Sequence, residues 1–196
     1  GIQESELINS STHKHIFADQ IICLDHPWYH KGFIQDQVKK LPKWVILINR
    51  KIFLKKASKF KCSKKIFLDR SGSRFSHCQI FNQKPINKWV KKNNLIIYKP
   101  EKLPFKKQIH LFKNASVILG AHGAAFTNII FCKPGTKIIE IIPTNHPNRK
   151  CERISKILRL KYFRIVTKSD NSNKNFPFKI HLEEKHLKMI EKAINL

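Results

Sequence analysis

Short β-prone runs alternate along most of the chain with longer segments in which apolar residues recur at helical spacing. Strands are predicted at 65–70, 95–98, 116–120, 136–143 and 162–166. Helices are predicted at 81–94, 103–115, 151–161 and 182–195, where apolar positions recur every three or four residues. Strands that alternate with helices in this way indicate βαβ units. The expected fold is therefore α/β, a parallel sheet with helices on both faces.

The pattern is less decisive elsewhere. Segment 41–57 contains an apolar run that fits a strand, but Pro42 fits the first turn of a helix and the apolar spacing fits a broad helical face. The first 40 residues hold two short apolar stretches, 6–8 and 15–24, that are predicted as strands. The polar stretch 168–178 is predicted to be a mobile loop.

The charge of the chain is strongly basic, with 39 Lys and Arg against 13 Asp and Glu, a formal net charge of +26. Only seven of the basic residues are Arg, and the Lys are scattered among many Ile and Asn, a bias that AT-rich codons produce without selection for binding. Nucleic-acid-binding surfaces more often cluster Arg with aromatic residues. We therefore interpret the charge mainly as a solvated lysine surface, do not expect nucleic acid as a partner, and expect peripheral contact with an anionic membrane as a secondary one.

Composition also bears on the compartment. The 196 residues contain no apolar run of membrane-spanning length and no signal-peptide pattern. The five cysteines form no CxxC pair, which argues against a zinc site or a disulfide framework and predicts a reducing, cytoplasmic setting. Met189 is the only methionine, so the sequence is expected to be a fragment or a processed chain.

A glycine-rich step, GAHGAAF, separates the predicted strand 116–120 from a helical pattern over 124–131. Gly120 and Gly123 permit turns or close approaches that a Cβ would prevent. The first N–H groups of a helix bind anions well, so the step is predicted to cradle a phosphate. A tight turn that binds nothing fits the same residues equally well.

Two of the seven arginines, Arg70 and Arg74, flank a Ser-Gly-Ser turn after the predicted strand 65–70. Guanidinium groups recognise phosphate oxygens in a planar, bidentate way, whereas Lys offers a point charge. Because ligands of parallel sheets sit beyond the carboxyl ends of the strands, these arginines and the glycine-rich step are expected to share one site. A solvated turn with two exposed arginines is the alternative.

These segments together resemble the catalytic region of glycosyltransferase family 61. The resemblance runs through FLDRSGSR, FNQ and LPFKKQIHLFKNASVILGAHGAAFTNIIFCKPGTKIIEIIP, over about 65–143 and more weakly back to about residue 15. The residues in step with the family pattern are Gln108, Phe112, Ala115, Gly120, His122, Gly123, Ala124, Thr127, Asn128, Pro134, Gly135 and Glu140. Two positions depart from it: Gln83, where the family usually has Glu, and Ala125, where Gly is common.

The resemblance implies a GT-B glycosyltransferase, in which two Rossmann-like domains face each other and the C-terminal one binds the nucleotide-sugar. Residues 41–196 are then expected to be that C-terminal half, and 1–40 a remnant of, or linker from, the N-terminal acceptor half. The implied chemistry is inverting transfer of a hexosyl or pentosyl group from a UDP-sugar to a hydroxyl of a glycan or lipid-linked glycan, in surface polysaccharide synthesis. The implied location is the cytoplasm, peripheral to the inner membrane, or the Golgi or ER lumen in a eukaryote.

The implied roles fall mainly on the two strand ends. The donor diphosphate is expected to contact Arg70, Arg74, Gly120, His122, Gly123, Ala124 and Asn128. His122 can instead bond a nearby carbonyl structurally, and Asn128 can hold a neighbouring loop. Glu140 is expected to contact the ribose or the sugar, or else to pair with a Lys.

The remaining roles are left open. The chain has no DxD pair, so neither a metal site nor a cofactor beyond the UDP-sugar co-substrate is expected. Asp25 and His26 are interpreted as hinge-loop residues, and the general base is expected outside this chain. A basic α/β module that binds nucleic acid or another polyanion without catalysis is the second candidate function.

Overall fold

A five-stranded parallel sheet forms the centre of the protein. The structure, a computed structural model, describes residues 3–22, 41–72, 78–144, 146, 149–168 and 179–196. The strands are β1 (Lys65–Leu68), β2 (Gln79–Ile80), β3 (Ile96–Tyr98), β4 (Val117–Ala121), β5 (Lys137–Pro143), β6 (Lys161–Thr167) and β7 (Lys179–Ile180). The sheet has the order β3-β1-β4-β5-β6, and β2 pairs with β7 in a separate two-stranded sheet. All of these pairings are parallel, which confirms the predicted α/β class.

The strand order reverses between β1 and β4. From β1 the chain goes outward to β3 at one edge of the sheet, then returns past β1 to β4 and continues to β5 and β6. In open α/β sheets, the crevice beyond the carboxyl ends of the strands at such a reversal is the usual ligand site. Here those two strand ends lead into Asp69 and Arg70 on one side and into the glycine-rich step on the other.

Helices cover both faces of the central sheet. They are α1 (Lys43–Phe53), α2 (Gln83–Lys92), α3 (Phe105–Asn114), α4 (Lys150–Leu158) and α5 (Glu184–Asn195), with 3-10 helices at Glu4–Glu6, Leu54–Lys56, Pro100–Lys102 and Ala124–Phe131. Successive strand residues point to opposite faces. In β4, Ile118 packs with α1, α3, α4 and the 124–131 helix, whereas Leu119 packs with α2 and α5. Rossmann-like and GT-B specifics, and the proposed division at residue 40, stay predictions.

The predicted strands near the N-terminus are wrong as far as the structure describes them. Residues 3–22 contain the short 3-10 helix Glu4–Glu6 and no strand, and Ile16, Phe17 and Ile21 are exposed. A β-prone run becomes a strand only where a neighbouring strand pairs with it, and the run at 15–22 has none in the part described. The ambiguous segment 41–57 is mainly helical, and its helix begins directly after Pro42. The predicted mobile loop at 168–178 lies, apart from Lys168, outside the described residues.

Two further differences concern element ends. The helix predicted at 151–161 spans Lys150–Leu158, because Arg159 adopts a left-handed conformation and β6 begins two residues later. The helix after the glycine-rich step is 3-10 in type. Among the described helices, none combines the length and apolarity needed to cross a membrane.

Candidate functional site

The guanidinium group of Arg70 lies directly against Gly123. Arg70 follows the carboxyl end of β1 and Gly123 follows that of the neighbouring strand β4, so both lie at the same edge of the sheet. A Cβ on Gly123 would lie 1.1 Å from Nη1 of Arg70. Gly123 has an extended backbone with φ 168°, which any residue adopts, so the position requires glycine for space. The proximity expected from the sequence is therefore present for Arg70.

Hydrogen bonds fix the turn that presents Arg70. The buried carboxylate of Asp69 accepts from the backbone N–H of Ser71 at 2.8 Å and from its hydroxyl at 2.9 Å. The Lys99 ammonium donates to the Ser71 hydroxyl at 2.9 Å and lies 3.5 Å from the Asp69 carboxylate. Burial lowers the pKa of Arg70 from its ordinary value, and nearby Glu101 opposes that shift. The side chain stays a cation at neutral pH.

The 124–131 helix begins beside this guanidinium. Its first backbone bond runs from the N–H of Phe126 to the carbonyl of Gly123 at 3.1 Å, and Ala124 is exposed. The N–H groups of the first turn precede the intrahelical ladder and carry the positive end of the helix dipole. At the opposite end, Arg50 of α1 donates to the carbonyls of Ile130 and, at 2.9 Å, of Cys132. The edge of the sheet therefore presents a helix start and a guanidinium side by side.

His122 belongs to a buried polar network behind the step. Its Nδ1 lies 2.5 Å from Oε1 of Glu140, and the Tyr162 hydroxyl donates to Oε2 of the same carboxylate at 2.6 Å. The His122 and His146 rings lie 4.2 Å apart, centroid to centroid. Glu140 is 1% exposed. The sequence placed Glu140 and His122 in one site but missed Tyr162 and His146, which no motif marks.

Glu140 is held in its ionised form. Burial alone would raise the pKa of its carboxyl, but hydrogen bonds from His122, Tyr162 and Cys151 act in the opposite direction, and the pKa is lowered. Burial and the neighbouring carboxylate raise the pKa values of the Tyr162 hydroxyl and the Cys151 thiol. Both therefore remain protonated donors to Glu140 at neutral pH.

His122, Glu140 and Cys151 also form a donor set of the kind that binds transition metals. Their ligand atoms lie within 4.8 Å of one another. Two ligands of one tetrahedral zinc ion are about 3.3 Å apart, given Zn–N and Zn–O bonds near 2.0–2.1 Å. The 2.5 Å between His122 and Glu140 is a hydrogen-bond distance, so the network as it stands is a hydrogen-bonded one. The expectation of no metal site stays a prediction.

Several residues of the family pattern hold the helices around the site in place. Asn128 donates to the side chain of Gln108 at 2.7 Å, and Gln108 donates to the carbonyls of Pro100 and Leu103, each at 2.9 Å. The 124–131 helix is thereby fastened to α3 and to the 3-10 helix before it. This is the loop-holding contact that the sequence left open for Asn128, and its donor-binding role stays a prediction.

Two glycines of the pattern also have structural reasons. A Cβ on Gly120 would lie 3.0 Å from both the Cβ and the carbonyl oxygen of Leu68 on the adjacent strand. Gly135, with φ 82°, follows Pro134 in a turn closed by the Thr136 N–H bonding the Lys133 carbonyl at 3.2 Å. Pro followed by a residue of positive φ is typical of a type II turn, which here leads into β5. Contact between Gly120 and a ligand stays a prediction.

A cavity of 80 Å³ opens next to Arg70 at the end of β1. Its lining includes polar side chains from the turn, from β2 and from α2, namely Asp69, Arg70, Ser71, Gln79 and Gln83. The amide of Gln83 donates to Asn87 at 2.9 Å. The sequence flagged Gln83 only as a departure from the family pattern. Three other predicted residues, Arg74, Asp25 and His26, lie outside the described residues.

The fold and the site define a parallel α/β domain with a cationic crevice where the strand order reverses. The family model for Glycosyltransferase 61 matches residues 4–139, well over half of the chain. The chain belongs to glycosyltransferase family 61.

Two plant relatives match a shorter part of the chain. A beta-1,2-xylosyltransferase of Arabidopsis thaliana is 40% identical over 60 residues, which is 31% of this chain and 11% of that protein. The beta-1,2-xylosyltransferase RCN11 of Oryza sativa subsp. japonica is 37% identical over 60 residues, with the same shares. The matched segment is thus a small part of each relative.

Proposed function

We propose that this chain is the donor-binding part of an inverting glycosyltransferase that uses a UDP-sugar. The observation that carries the proposal is the contact of Arg70 with Gly123 at the start of the 124–131 helix. A guanidinium and a helix start, side by side beyond the carboxyl ends of β1 and β4, form a cationic crevice with the chemistry of a diphosphate site. Membership of the family supports a sugar diphosphate as the ligand.

The proposed reaction is a single displacement at the anomeric carbon. The oxygen of an acceptor hydroxyl forms the new glycosidic bond while the bond from carbon to the diphosphate breaks. The electron pair of that bond stays on the diphosphate, and the hydroxyl proton goes to a general base. Arg70 and the first N–H groups of the helix stabilise the charge that grows on the leaving UDP, which is how a preorganised anion site accelerates such a step.

The donor sugar is proposed from the relatives. Both are named beta-1,2-xylosyltransferases, so UDP-xylose is the first donor to test. The sugar of UDP-xylose is α-linked, and inversion gives a β-linked product, which agrees with the linkage in those names. An acceptor hydroxyl on a glycan follows from the same family relation, and the acceptor itself is left open.

Calorimetric titration of the chain with UDP and UDP-xylose tests the proposal. Arg70→Ala is expected to weaken UDP binding by about 1–3 kcal/mol, the loss of a charge-assisted contact. The same loss is expected for Arg74→Ala, which stays a prediction from the sequence. Lys188→Ala, at an exposed residue that pairs with Glu184 on α5, serves as the control and is expected to leave the affinity unchanged. Equal losses in all three variants would point to a diffuse charge effect and contradict a built site.

A further inference from the structure

Three side chains on neighbouring strands connect the glycine-rich step to the edge strand β6. Glu140 in β5 lies opposite Gly120 of β4 and Arg164 of β6. Tyr162 is two residues before Arg164 on β6 and so points to the same face as Glu140. His122 follows β4 directly, and its backbone N–H donates to the Ile141 carbonyl at 2.8 Å. The sheet register therefore brings the three side chains into one line.

Glu140 is fully engaged within this line. Oε1 is bonded to His122 at 2.5 Å and Oε2 to Tyr162 at 2.6 Å, in a residue that is 1% exposed. A bidentate contact from Glu140 to ribose hydroxyls would require both donors to leave and a ligand to reach a position closed to solvent. The geometry favours a different role, in which the carboxylate acts on His122.

The bond to Glu140 sets the state of the His122 ring. A carboxylate that accepts from Nδ1–H makes Nδ1 the protonated nitrogen and fixes the plane of the ring. The second nitrogen, Nε2, then carries a lone pair and can accept a hydrogen bond. The backbone bond to Ile141 and the ring of His146 hold the imidazole from two further directions. Gly123, which contacts Arg70, is the next residue along the chain.

We infer that Tyr162 and Glu140 are positioning residues that orient His122 so that its Nε2 accepts a hydrogen bond from a ribose hydroxyl of the bound UDP-sugar. This inference rests on the proposed function, because it requires a donor in the crevice beside Arg70. Tyr162 lies beyond residues 4–139, the part of the chain that the family model matches. The family motifs therefore contain the histidine and the step, while the group that holds the assembly in place from β6 is specific to the fold around them.

The test combines UDP titration with NMR of a chain labelled with ¹⁵N-histidine. Tyr162→Phe removes one hydroxyl and keeps the ring. It is expected to lower UDP affinity roughly fivefold to tenfold, the scale of losing one ordinary hydrogen bond. Tyr98→Phe is the matched control: Tyr98 accepts from the Ser63 N–H at 3.0 Å on β3, at the far edge of the sheet. That variant is expected to leave UDP affinity within about twofold of the unaltered chain, because the hydroxyl that it removes contacts Ser63 and not the glycine-rich step.

A double variant shows whether Tyr162 acts through the histidine. In a chain that already carries His122→Ala, Tyr162→Phe is expected to cause no further loss of UDP affinity, because the group that it orients is gone. In the NMR spectrum His122 is expected in the Nδ1–H form, with an Nδ1 signal that moves in Tyr162→Phe and not in Tyr98→Phe. If Tyr162→Phe does not fold, Glu140→Gln is measured in its place, with the same expected pattern.

The outcomes separate this inference from the proposed function. If His122→Ala loses affinity and Tyr162→Phe keeps it, the inference is overturned and the donor site stands. Equal losses from Tyr162→Phe with and without His122 would also overturn it, since Tyr162 would then act by another route. No UDP binding by the unaltered chain would overturn both.

Discussion

Gly120 and Gly123, only three residues apart, exclude side chains for different reasons. At Gly120 a Cβ would meet the Leu68 backbone across two paired strands, whereas at Gly123 it would meet the end of the Arg70 side chain. Backbone in a central sheet cannot move aside, but the end of an arginine can. The first glycine is therefore a requirement of the fold and the second a requirement of the site.

Gly120→Ala tests the first requirement. Overpacking between β1 and β4 is expected to lower the free energy of unfolding by about 1–3 kcal/mol. The matched control is Gly72→Ala, because a Cβ there meets only the flexible Glu101 carboxylate, at 3.1 Å. Urea unfolding of both variants measures the difference. An equal, small loss in both would mean that the strands have room at Gly120.

The lowered pKa of Glu140 predicts how the stability of the fold depends on pH. Its pKa in the folded chain lies below the ordinary value of 4.5, so the fold stabilises the ionised form. That contribution is fully present above about pH 4.5 and is lost as the pH falls through the folded pKa. Glu140→Gln is expected to be less stable than the unaltered chain by about 1–3 kcal/mol at neutral pH, the cost of disrupting a buried charged network. The difference should shrink below about pH 4 in urea unfolding, and a constant difference across that range would contradict the assignment.

At the scale of elements, the 124–131 helix is held at three points. Arg50 binds the carbonyls at its end, Asn128 binds Gln108 of α3, and Lys150 of α4 donates to Thr127 at 2.9 Å. At the start of the helix, beside Arg70, Ala124 is exposed. A helix fixed in this way presents its N–H groups without needing to reorganise when an anion binds.

Asn128→Ala shows whether Asn128 holds the 124–131 helix in place or contacts the donor. If Asn128 holds the helix, the variant is expected to lose about 1 kcal/mol of stability. In a chain that already carries Gln108→Ala, Asn128→Ala should cause no further loss. UDP affinity of the folded protein is then expected to change less than about threefold. Thermal unfolding and UDP titration on the same samples measure both. A loss of UDP affinity without loss of stability would instead support the donor contact expected from the sequence.

The elements of 65–196 were predictable because their apolar periodicity matches their burial. Val117, Ile118 and Leu119 read as a buried strand, and they form the middle of the sheet. The pairing of β2 with β7 was not predictable, since each is two residues long and they lie far apart in sequence. The apolar run at 15–22 suggested a strand whose partner no local pattern could supply.

The candidate site was predictable only in part. A motif locates Gly123 and His122, and the shortage of Arg in a Lys-rich chain draws attention to Arg70. No spacing rule shows that Arg70 fills the place of a Gly123 side chain, or that Tyr162 binds Glu140, because both depend on strand register. These contacts emerge only from the three-dimensional arrangement.

At the scale of the whole molecule, charge and exposed apolar surface coincide on α1. Trp44, Leu47, Ile48 and Ile52 are each 44–57% exposed and lie along one side of the helix. Residues 41–68 contain nine Lys and Arg and no acidic residue. An apolar stripe flanked by Lys is typical of a helix that lies on an anionic membrane, and the membrane contact expected from the sequence stays a prediction.

Vesicle sedimentation tests this surface. We expect binding to vesicles that contain phosphatidylserine and little binding to neutral phosphatidylcholine vesicles. Replacing Trp44 and Ile48 by Ser should weaken the first without changing UDP affinity, because both side chains are exposed and neither lines the cavity beside Arg70. Equal binding of both variants and both vesicle types would contradict a membrane-facing role for α1. Binding to DNA that disappears between about 50 and 200 mM salt, with no binding to UDP, would favour the polyanion-binding alternative.

The contact between Arg70 and Gly123 is the centre of this account, and a double-mutant cycle in UDP affinity tests it most directly. Arg70→Ala and Gly123→Ala are each expected to weaken UDP binding by about 1–3 kcal/mol, the second because its methyl group displaces the guanidinium. The doubly altered chain should bind no more weakly than Arg70→Ala alone, since Gly123 matters only by admitting Arg70. Fully additive losses would mean that Gly123 meets the ligand by itself, and unchanged affinity in Arg70→Ala would mean that the crevice does not bind UDP through this guanidinium. Either result would contradict the account.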